Sequence, residues 1–244
     1  MNKIVKVFCF AAAMLFAGTA ANAQFGQSIY LNGNLPVGDF AHKVNTTHKN
    51  VPLTYEEIGK AASAGFGLGY RASYRFDVGF GDVAPFVQAD VFWNTISSDW
   101  NKKYLDAEYK TPYYFNVPAM AGVSYFYTGL WNDITPFAEF GVGADLFIIT
   151  REGLGAKENN GTLYYAYKPT VTMAWNVGLG AWFGRHVSAG IYYYSLGTHP
   201  IDYTSRTLDV NSVALAQVNL DKLLGNGRQL RTLGSFALRI GFHF

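Results

Sequence analysis

The feature that most constrains this chain is an alternation of large apolar side chains with small or charged ones. It is clearest at 63–77, where alanine, aromatic residues and leucine occupy the even positions and glycine, serine, arginine and aspartate the odd ones. Successive side chains of a β-strand point to opposite faces, so this period predicts a strand with one apolar face. The same period recurs at 27–33, 85–94, 112–127, 136–148, 170–183, 186–195 and 233–244. The sequence therefore predicts eight β-strands, and its 17 tyrosines and 19 phenylalanines favour sheet as well.

The connections between these segments alternate in length, which indicates a membrane barrel. Those at 77–84, 129–135 and 184–185 are short, and those at 34–62, 95–111, 150–168 and 197–232 are long. A tilted strand needs roughly 9–11 residues to cross a bilayer. Outer-membrane barrels have short periplasmic turns and long external loops. We predict an all-β, eight-stranded antiparallel up-and-down transmembrane β-barrel with both termini in the periplasm.

A soluble eight-stranded lipocalin is the rival fold. Its interior would be apolar, whereas the inner face expected here holds arginines and acids, and this disfavours it.

The first 23 residues are typical of a secretory signal peptide. Lys3 and Lys6 precede an apolar run at 7–17, and Ala21-Asn22-Ala23 forms a cleavage site of small residues. The apolar run is too short for a membrane anchor. We predict a signal peptide at 1–23 and an outer-membrane β-barrel domain at 24–244. The one cysteine, Cys9, falls in the signal, so the mature chain would have no disulfide and no thiolate chemistry.

Charge and composition exclude several classes of protein. The chain has 19 Lys and Arg against 17 Asp and Glu, and the predicted signal contains two of the lysines and no acid, so the mature charge is near zero. This argues against a nucleic-acid partner. His42 and His48 lack a carboxylate at ligand spacing, so we expect no metal site. The glycines at 65–69 fall on one strand face and are expected to relieve crowding rather than to bind phosphate. No cofactor is predicted.

The predicted signal, the stretch NGNLPVGDFA at 32–41, the glycine-rich strands and the terminal strand LGSFALRIGFHF resemble small bacterial outer-membrane β-barrel proteins, including the porin-like and PorT-like groups. The resemblance implies a place in the cell outer membrane, in contact with its lipids. It also implies that the barrel assembly machinery recognises the terminal strand through Phe242 and Phe244 during insertion. It does not specify a surface ligand.

The alternation also predicts which side chains point into the lumen. The charged residues on the inward faces are Arg71, Arg75, Asp90, Glu139, Asp145 and Arg239. Eight strands enclose a space that side chains can fill, and charges in such a space must be paired or hydrated. We predict a lumen plugged by pairing among Arg71, Arg239, Asp90 and Glu139. Such a barrel would present its loops for envelope structure or surface interaction. The alternative is a narrow porin-like channel for small solutes.

An enzymatic role, as in barrels that modify lipid A, has little support. The nearest candidates are Ser195 and His199, which four residues of strand would separate by about 13 Å. A nucleophile and its base need hydrogen-bond contact. The sequence therefore predicts a protein that is not an enzyme.

Three local features of the sequence indicate departures from regular barrel strands. Pro118 cannot donate to a ladder and suggests a β-bulge. The stretch 212–227 fits either a short helix capped by Ser212 or an extension of a neighbouring strand. Asn159-Asn160-Gly161 predicts the turn of a hairpin that projects outward.

Overall fold

The protein is described by a computed structural model. The structure describes residues 24–42, 59–96, 107–110, 112–129, 133–150, 152–156, 161–210, 213–218 and 229–244. The predicted signal peptide at 1–23 and His48 lie outside these residues.

The described residues hold thirteen strands and one short 3-10 helix, Gly38–Phe40. In chain order the strands are β1 (Gln24–Val37), β2 (Gly65–Asp77), β3 (Asp82–Thr95), β4 (Ala107–Lys110), β5 (Tyr113–Phe126), β6 (Ile134–Ile149), β7 (Glu152–Ala156), β8 (Gly161–Tyr167), β9 (Thr170–Phe183), β10 (Val187–Ile201), β11 (Tyr203–Val210), β12 (Val213–Val218) and β13 (Gln229–His243).

Eight of these strands close into a barrel in the order β1, β13, β10, β9, β6, β5, β3, β2. Every neighbouring pair is antiparallel, and the first strand pairs with the last, with Ser28 opposite His243. Closure gives each barrel strand two partners, so the barrel has no free edge. The predicted eight-stranded antiparallel barrel is confirmed.

The barrel is apolar outside and polar inside. Leu68, Leu179 and Phe236 are about half exposed or more on the outer face, whereas Arg71 and Asp90 are buried inside. In water this arrangement would expose a continuous apolar belt. It is the arrangement of a transmembrane barrel, in which the outer face contacts lipid and the lumen is polar.

The two ends of the barrel differ. At one end the strands are joined by short turns, and Gly79 and Gly81 have positive φ in the turn between β2 and β3. Both described termini, Gln24 and Phe244, lie at this end, where the backbones of Gln27 and Phe244 bond each other. We call this the short-turn end, and the opposite end the mouth.

A second sheet continues the barrel beyond the mouth, with the order β12, β11, β8, β7, β4. From the sequence, these stretches are predicted to be loops. The hairpin predicted around 159–161 is confirmed, because β7 pairs antiparallel with β8; its turn lies outside the described residues. For 212–227 the sequence allows either a short helix or an extension of a neighbouring strand. The helix is wrong for Val213–Val218, because these residues form β12, a strand paired with β11. Residues 219–228 lie outside the described residues.

Two irregularities differ from expectation. The bulge predicted at Pro118 is wrong, since β3 and β5 keep one register on both sides of it and Pro118 lies opposite Asp145 in β6. The bulge occurs in β10 instead, where Leu196 interrupts the register with β13 between Ser195 and Gly197.

Among the described residues, no helix is long and apolar enough to cross a membrane.

Candidate functional site: the barrel lumen

The middle of the lumen is crossed by an ion pair between β2 and β6. Arg71 Nη1 donates to Glu139 Oε2 at 2.6 Å, and Arg71 Nη2 donates to the hydroxyl of Ser124 on β5 at 2.5 Å. All three side chains are buried. Neither β5 nor β6 neighbours β2 in the barrel, so Arg71 reaches across the bore rather than along the wall.

A second ion pair crosses the lumen from β13 to β3. Arg239 Nη2 lies 3.2 Å from each carboxylate oxygen of Asp90, and both side chains are 1% exposed. Arg239 Nη1 also lies 3.7 Å from Glu139 Oε1, which links the two pairs. Charge-assisted contacts of this kind are the stronger hydrogen bonds in proteins. We call Arg71, Asp90, Glu139 and Arg239 the central layer.

Uncharged polar groups complete the hydrogen bonding around Arg239 and Asp90. Arg239 Nε donates to Asn32 Oδ1 at 3.0 Å, and Arg239 Nη1 donates to Gln88 Oε1 at 3.3 Å. The hydroxyl of Tyr194 donates to Asp90 Oδ2 at 3.2 Å and accepts a bond from Arg239. A buried ion pair is tolerated only when its remaining donors and acceptors are satisfied. The network meets that condition around Asp90.

Aromatic rings fill the rest of the bore at this level. The Arg239 guanidinium lies 4.4 Å from the ring centre of Tyr30 and 4.1 Å from that of Tyr192. The Arg71 guanidinium lies 3.8 Å from the ring centre of Phe86. A cation over an aromatic face is attracted by the ring quadrupole, more strongly where water is excluded. The central layer is therefore packed with rings as well as joined by charges.

The other two charged residues expected in the lumen lie apart from the central layer. Arg75 lies near the short-turn end, 3.6 Å from Asp82, with its guanidinium over the ring of Phe126 at 3.9 Å. Asp145 lies toward the mouth, where its Oδ2 is 3.2 Å from His199 Nε2. The six residues thus form three groups at different depths, because they occupy different rungs of the barrel ladder.

A histidine and two serines lie at the short-turn end. The hydroxyl of Ser28 is 2.6 Å from His243 Nδ1, and that of Ser188 is 2.7 Å from His243 Nε2. The His243 ring stacks on Trp182 at 3.8 Å. Ser28 and Ser188 line a cavity of about 10 Å³, which has room for about one water molecule. These contacts join His243 of β13 to β1, β9 and β10 at this end of the barrel.

At the mouth, the chain after β1 turns inward and places an apolar ring across the bore. Phe40 is fully buried, and its ring centre lies 5.5 Å from that of Tyr114 on β5 and 6.0 Å from that of Phe147 on β6. Ala61 and Ala62 are buried beside it, and the Ala62 N–H donates to the Phe40 carbonyl at 2.9 Å. We call these five residues the mouth cap. The alternation of strand residues gives no sign of it, because Phe40 lies outside any strand.

Ser195 and His199, the residues weighed for catalysis, lie on opposite faces of β10. The bulge at Leu196 reverses the alternation, so that His199 is buried in the lumen while Ser195 lies on the outer face with Ile191 and Tyr193. The imidazole bonds the hydroxyls of Thr170 and Thr172. The alternation before the bulge therefore does not predict His199 as a lumen residue. His42, weighed as a metal ligand, is exposed.

Comparison with solved structures identifies the architecture. A major outer membrane protein of Thermus thermophilus is similar, with 13% sequence identity, a TM-score of 0.51, and coverage of 91% of this chain and 100% of that one. The fold is that of an outer-membrane β-barrel. Its likeness to the porin-like and PorT-like groups in particular stays a prediction. No protein-family model matches the chain, and no curated protein matches it in sequence.

Two further solved structures also match, more distantly. Neisserial surface protein A is 10% identical, with a TM-score of 0.39 and coverage of 91% of this chain and 98% of that one. Ail, the attachment invasion locus protein of Yersinia pestis, is 10% identical in its complex with sucrose octasulfate, with a TM-score of 0.41 and coverage of 92% and 100%.

Proposed function

We propose that this protein is an outer-membrane barrel with a closed lumen, which presents its long-loop end to the exterior for envelope structure or surface interaction. The observation that carries the proposal is that both ion pairs of the central layer join strands that are not neighbours. Arg71 on β2 contacts Glu139 on β6, and Arg239 on β13 contacts Asp90 on β3. Charges lining an open pore would point at water in the bore, whereas these span it.

The mouth cap is a second obstruction in series with the first. Phe40 reaches from the end of β1 to rings on β5 and β6, so it also crosses the bore. An ion entering from outside would have to displace an apolar cluster and then a buried ion-pair network. An eight-stranded barrel encloses a space that side chains can fill, which fits this arrangement. In this proposal Ser195 and His199 have no catalytic role.

A solute-flux assay tests the closed lumen. Liposomes containing the protein are placed in an iso-osmotic solution of a small neutral sugar, and swelling is followed by light scattering. We expect the swelling rate of empty liposomes. Swelling well above that rate, growing with protein content, would favour the narrow channel instead.

The proposal places the short-turn end in the periplasm and the apolar belt in lipid, with the signal removed after Ala23. It also assigns Phe242 and Phe244 to recognition by the barrel assembly machinery. Both side chains are about half exposed or more, Phe242 on the outer face of the last strand and Phe244 directly after it, where another protein can reach them. A test is Phe242→Ala with Phe244→Ala: insertion in cells should fall while refolding into detergent proceeds. The control is Phe236→Ala, farther up the same face, which should insert normally.

A further inference from the structure

The turn between β2 and β3, residues 78–81, exposes two apolar side chains at the short-turn end. Phe80 is 72% exposed and Val78 is 40% exposed. Phe76, the last outward residue of β2 before the turn, is exposed as well. Single exposed apolar residues are ordinary, but a contiguous patch marks contact with a partner or a membrane. We call residues 78–81 the aromatic turn.

Hydrogen bonds hold the aromatic turn in place. Asp77 Oδ1 accepts a bond from the Gly79 N–H at 2.7 Å, which closes the turn through a side chain. The hydroxyl of Tyr125 on β5 donates to the Phe80 carbonyl at 2.8 Å. The turn is therefore tied both to itself and to a neighbouring strand. The exposure of Phe80 is set by these contacts rather than by a loose tip.

The aromatic turn continues the lipid-facing surface of the barrel. The ring centre of Phe80 lies 6.2 Å from that of Tyr125, which shares the outward face of β5 with the exposed Val123. On β2, the ring centres of Phe76 and Tyr74 lie 4.8 Å apart. These rings extend the apolar belt past the strand ends on the outside of the barrel. Because the patch is continuous with a surface that contacts lipid, lipid is the partner that its position indicates.

The turn between β9 and β10, residues 184–186, has the opposite character. Its two side chains, Arg185 and His186, are both exposed. We call it the cationic turn. On this side the apolar belt stops at the strand ends, with Phe183 and Val187 as its last exposed members.

The two turns lie on opposite sides of the barrel. In the closed strand order, β5 and β6 separate them in one direction, and β1 and β13 separate them in the other. The apolar belt therefore reaches farther beyond the strand ends on the β2 and β3 side than on the β9 and β10 side. A belt of this shape fits a level membrane only if the barrel tilts, because interfacial anchors set the tilt of a spanning protein.

We propose that the aromatic turn is a membrane anchor, which inserts Phe80 and Val78 into the phospholipid leaflet at the short-turn end and tilts the barrel toward that side. Aromatic rings favour the boundary between headgroups and acyl chains. Carboxylates on either side of the turn limit its depth, since Asp77 is exposed and Asp82 is paired with Arg75 at 3.6 Å. The turn therefore lies at the headgroup boundary rather than among the acyl chains.

Fluorescence quenching in phosphatidylcholine vesicles tests the anchor. The chain from residue 24 onward has no cysteine, so Val78→Cys offers a single site for a small fluorophore and retains Phe80. Phosphatidylcholine brominated near the headgroup quenches from the membrane, and iodide on both sides of the vesicle quenches from water. We expect the ratio of lipid to iodide quenching to be roughly threefold or more higher at Val78→Cys than at Arg185→Cys on the cationic turn.

Phe80→Ser in the Val78→Cys background is the control for any affinity of the fluorophore itself for lipid, and it should lower the ratio toward that at Arg185→Cys. Circular dichroism checks that each variant retains its strands. The anchor is independent of the closed lumen, so either can fail alone. A ratio unchanged by Phe80→Ser, or equal ratios on the two turns, would overturn the anchor. Strong iodide quenching at both turns would place the aromatic turn in water, where a second protein can cover it.

Discussion

The central layer and the mouth cap both block the bore, but they do so by different physics. In the central layer the contacts are charged groups on strands, joined to polar groups such as Tyr194 that are equally buried. In the mouth cap the contacts are between aromatic rings, and Phe40 lies on the 3-10 helix Gly38–Phe40, whereas Tyr114 and Phe147 lie on β5 and β6. The first obstruction is therefore formed entirely by the barrel strands, whereas the second depends on Phe40, which lies outside them.

This difference predicts whether a substitution lowers the stability of the whole barrel or only that of the mouth. A stranded charge in the central layer cannot reach water unless strands separate, so its cost falls on the stability of the whole barrel. Phe40 can leave the mouth without separating any pair of barrel strands, and such a local opening needs far less free energy than global unfolding. Substitutions in the central layer should therefore lower the melting temperature of the whole barrel. Substitutions in the mouth cap should instead lower the protection of nearby amides from hydrogen exchange.

The largest effect is expected from Glu139→Ala. It leaves Arg71 buried without its carboxylate, a loss of about 3–5 kcal/mol, measured by thermal or denaturant unfolding in detergent. Adding Arg71→Ala should recover part of this loss, because the orphan charge is gone. Glu139→Gln, which preserves shape, is the control for lost volume. If Glu139→Ala unfolds like the wild type, the central layer does not contribute to stability.

A charge introduced on the outer face should lower the free energy of unfolding somewhat less than Glu139→Ala does. Leu179→Arg places a cation in the apolar belt, and near the bilayer midplane we expect a loss of about 2–4 kcal/mol, measured by unfolding from liposomes. Leu179→Ala separates the charge from the lost side chain. The same comparison applies at Leu68 and Val142. Stabilities within error of Leu179→Ala at all three positions would contradict the assignment of this face to lipid.

Removal of one hydroxyl from the central network comes next. Tyr194→Phe deletes the group that donates to Asp90 and accepts from Arg239. A hydrogen bond to a charged group contributes roughly 1.5–3 kcal/mol. Tyr192→Phe serves as the control, because the variant keeps the ring that contacts Arg239. Equal melting curves for the two variants would show that the hydroxyl of Tyr194 is not part of the network.

The smallest effect on global stability is expected from Phe40→Ala. It removes the ring that crosses the mouth, so the Ala62 amide should lose protection from hydrogen exchange while the melting temperature stays near that of the wild type. The amides of β6 in the central layer report whether the change remains local. A melting temperature lowered as far as in Glu139→Ala would erase the distinction between the two obstructions.

Alternation is sufficient to predict the part of the molecule that is built from regular strands. Arg71, Asp90, Glu139 and Arg239 share a face with glycines and lie opposite large apolar residues, so the period of two assigns them to the lumen. Side-chain parity cannot give depth along the axis, and for this reason the sequence groups Arg75 and Asp145 with the four.

The bulge in β10, the mouth cap and the outer strands cannot be predicted from the alternation of side chains. The bulge at Leu196 reverses the faces of β10, and nothing in the run of tyrosines before it marks that position, so parity places His199 on the wrong face. Phe40 closes the mouth from a single-turn 3-10 helix, and its position depends on tertiary contacts with Tyr114 and Phe147. The outer strands β4, β7, β8, β11 and β12 are short, and two to four alternations are too few to distinguish a strand from a loop.

The most direct test of the closed lumen is the current through the wild-type protein in a planar lipid bilayer. With ion pairs from β2 to β6 and from β13 to β3 across the bore, we predict no steady current above that of the bare membrane at moderate voltage. A steady, reproducible single-channel current from the purified wild-type protein would contradict the account and establish the narrow channel in its place.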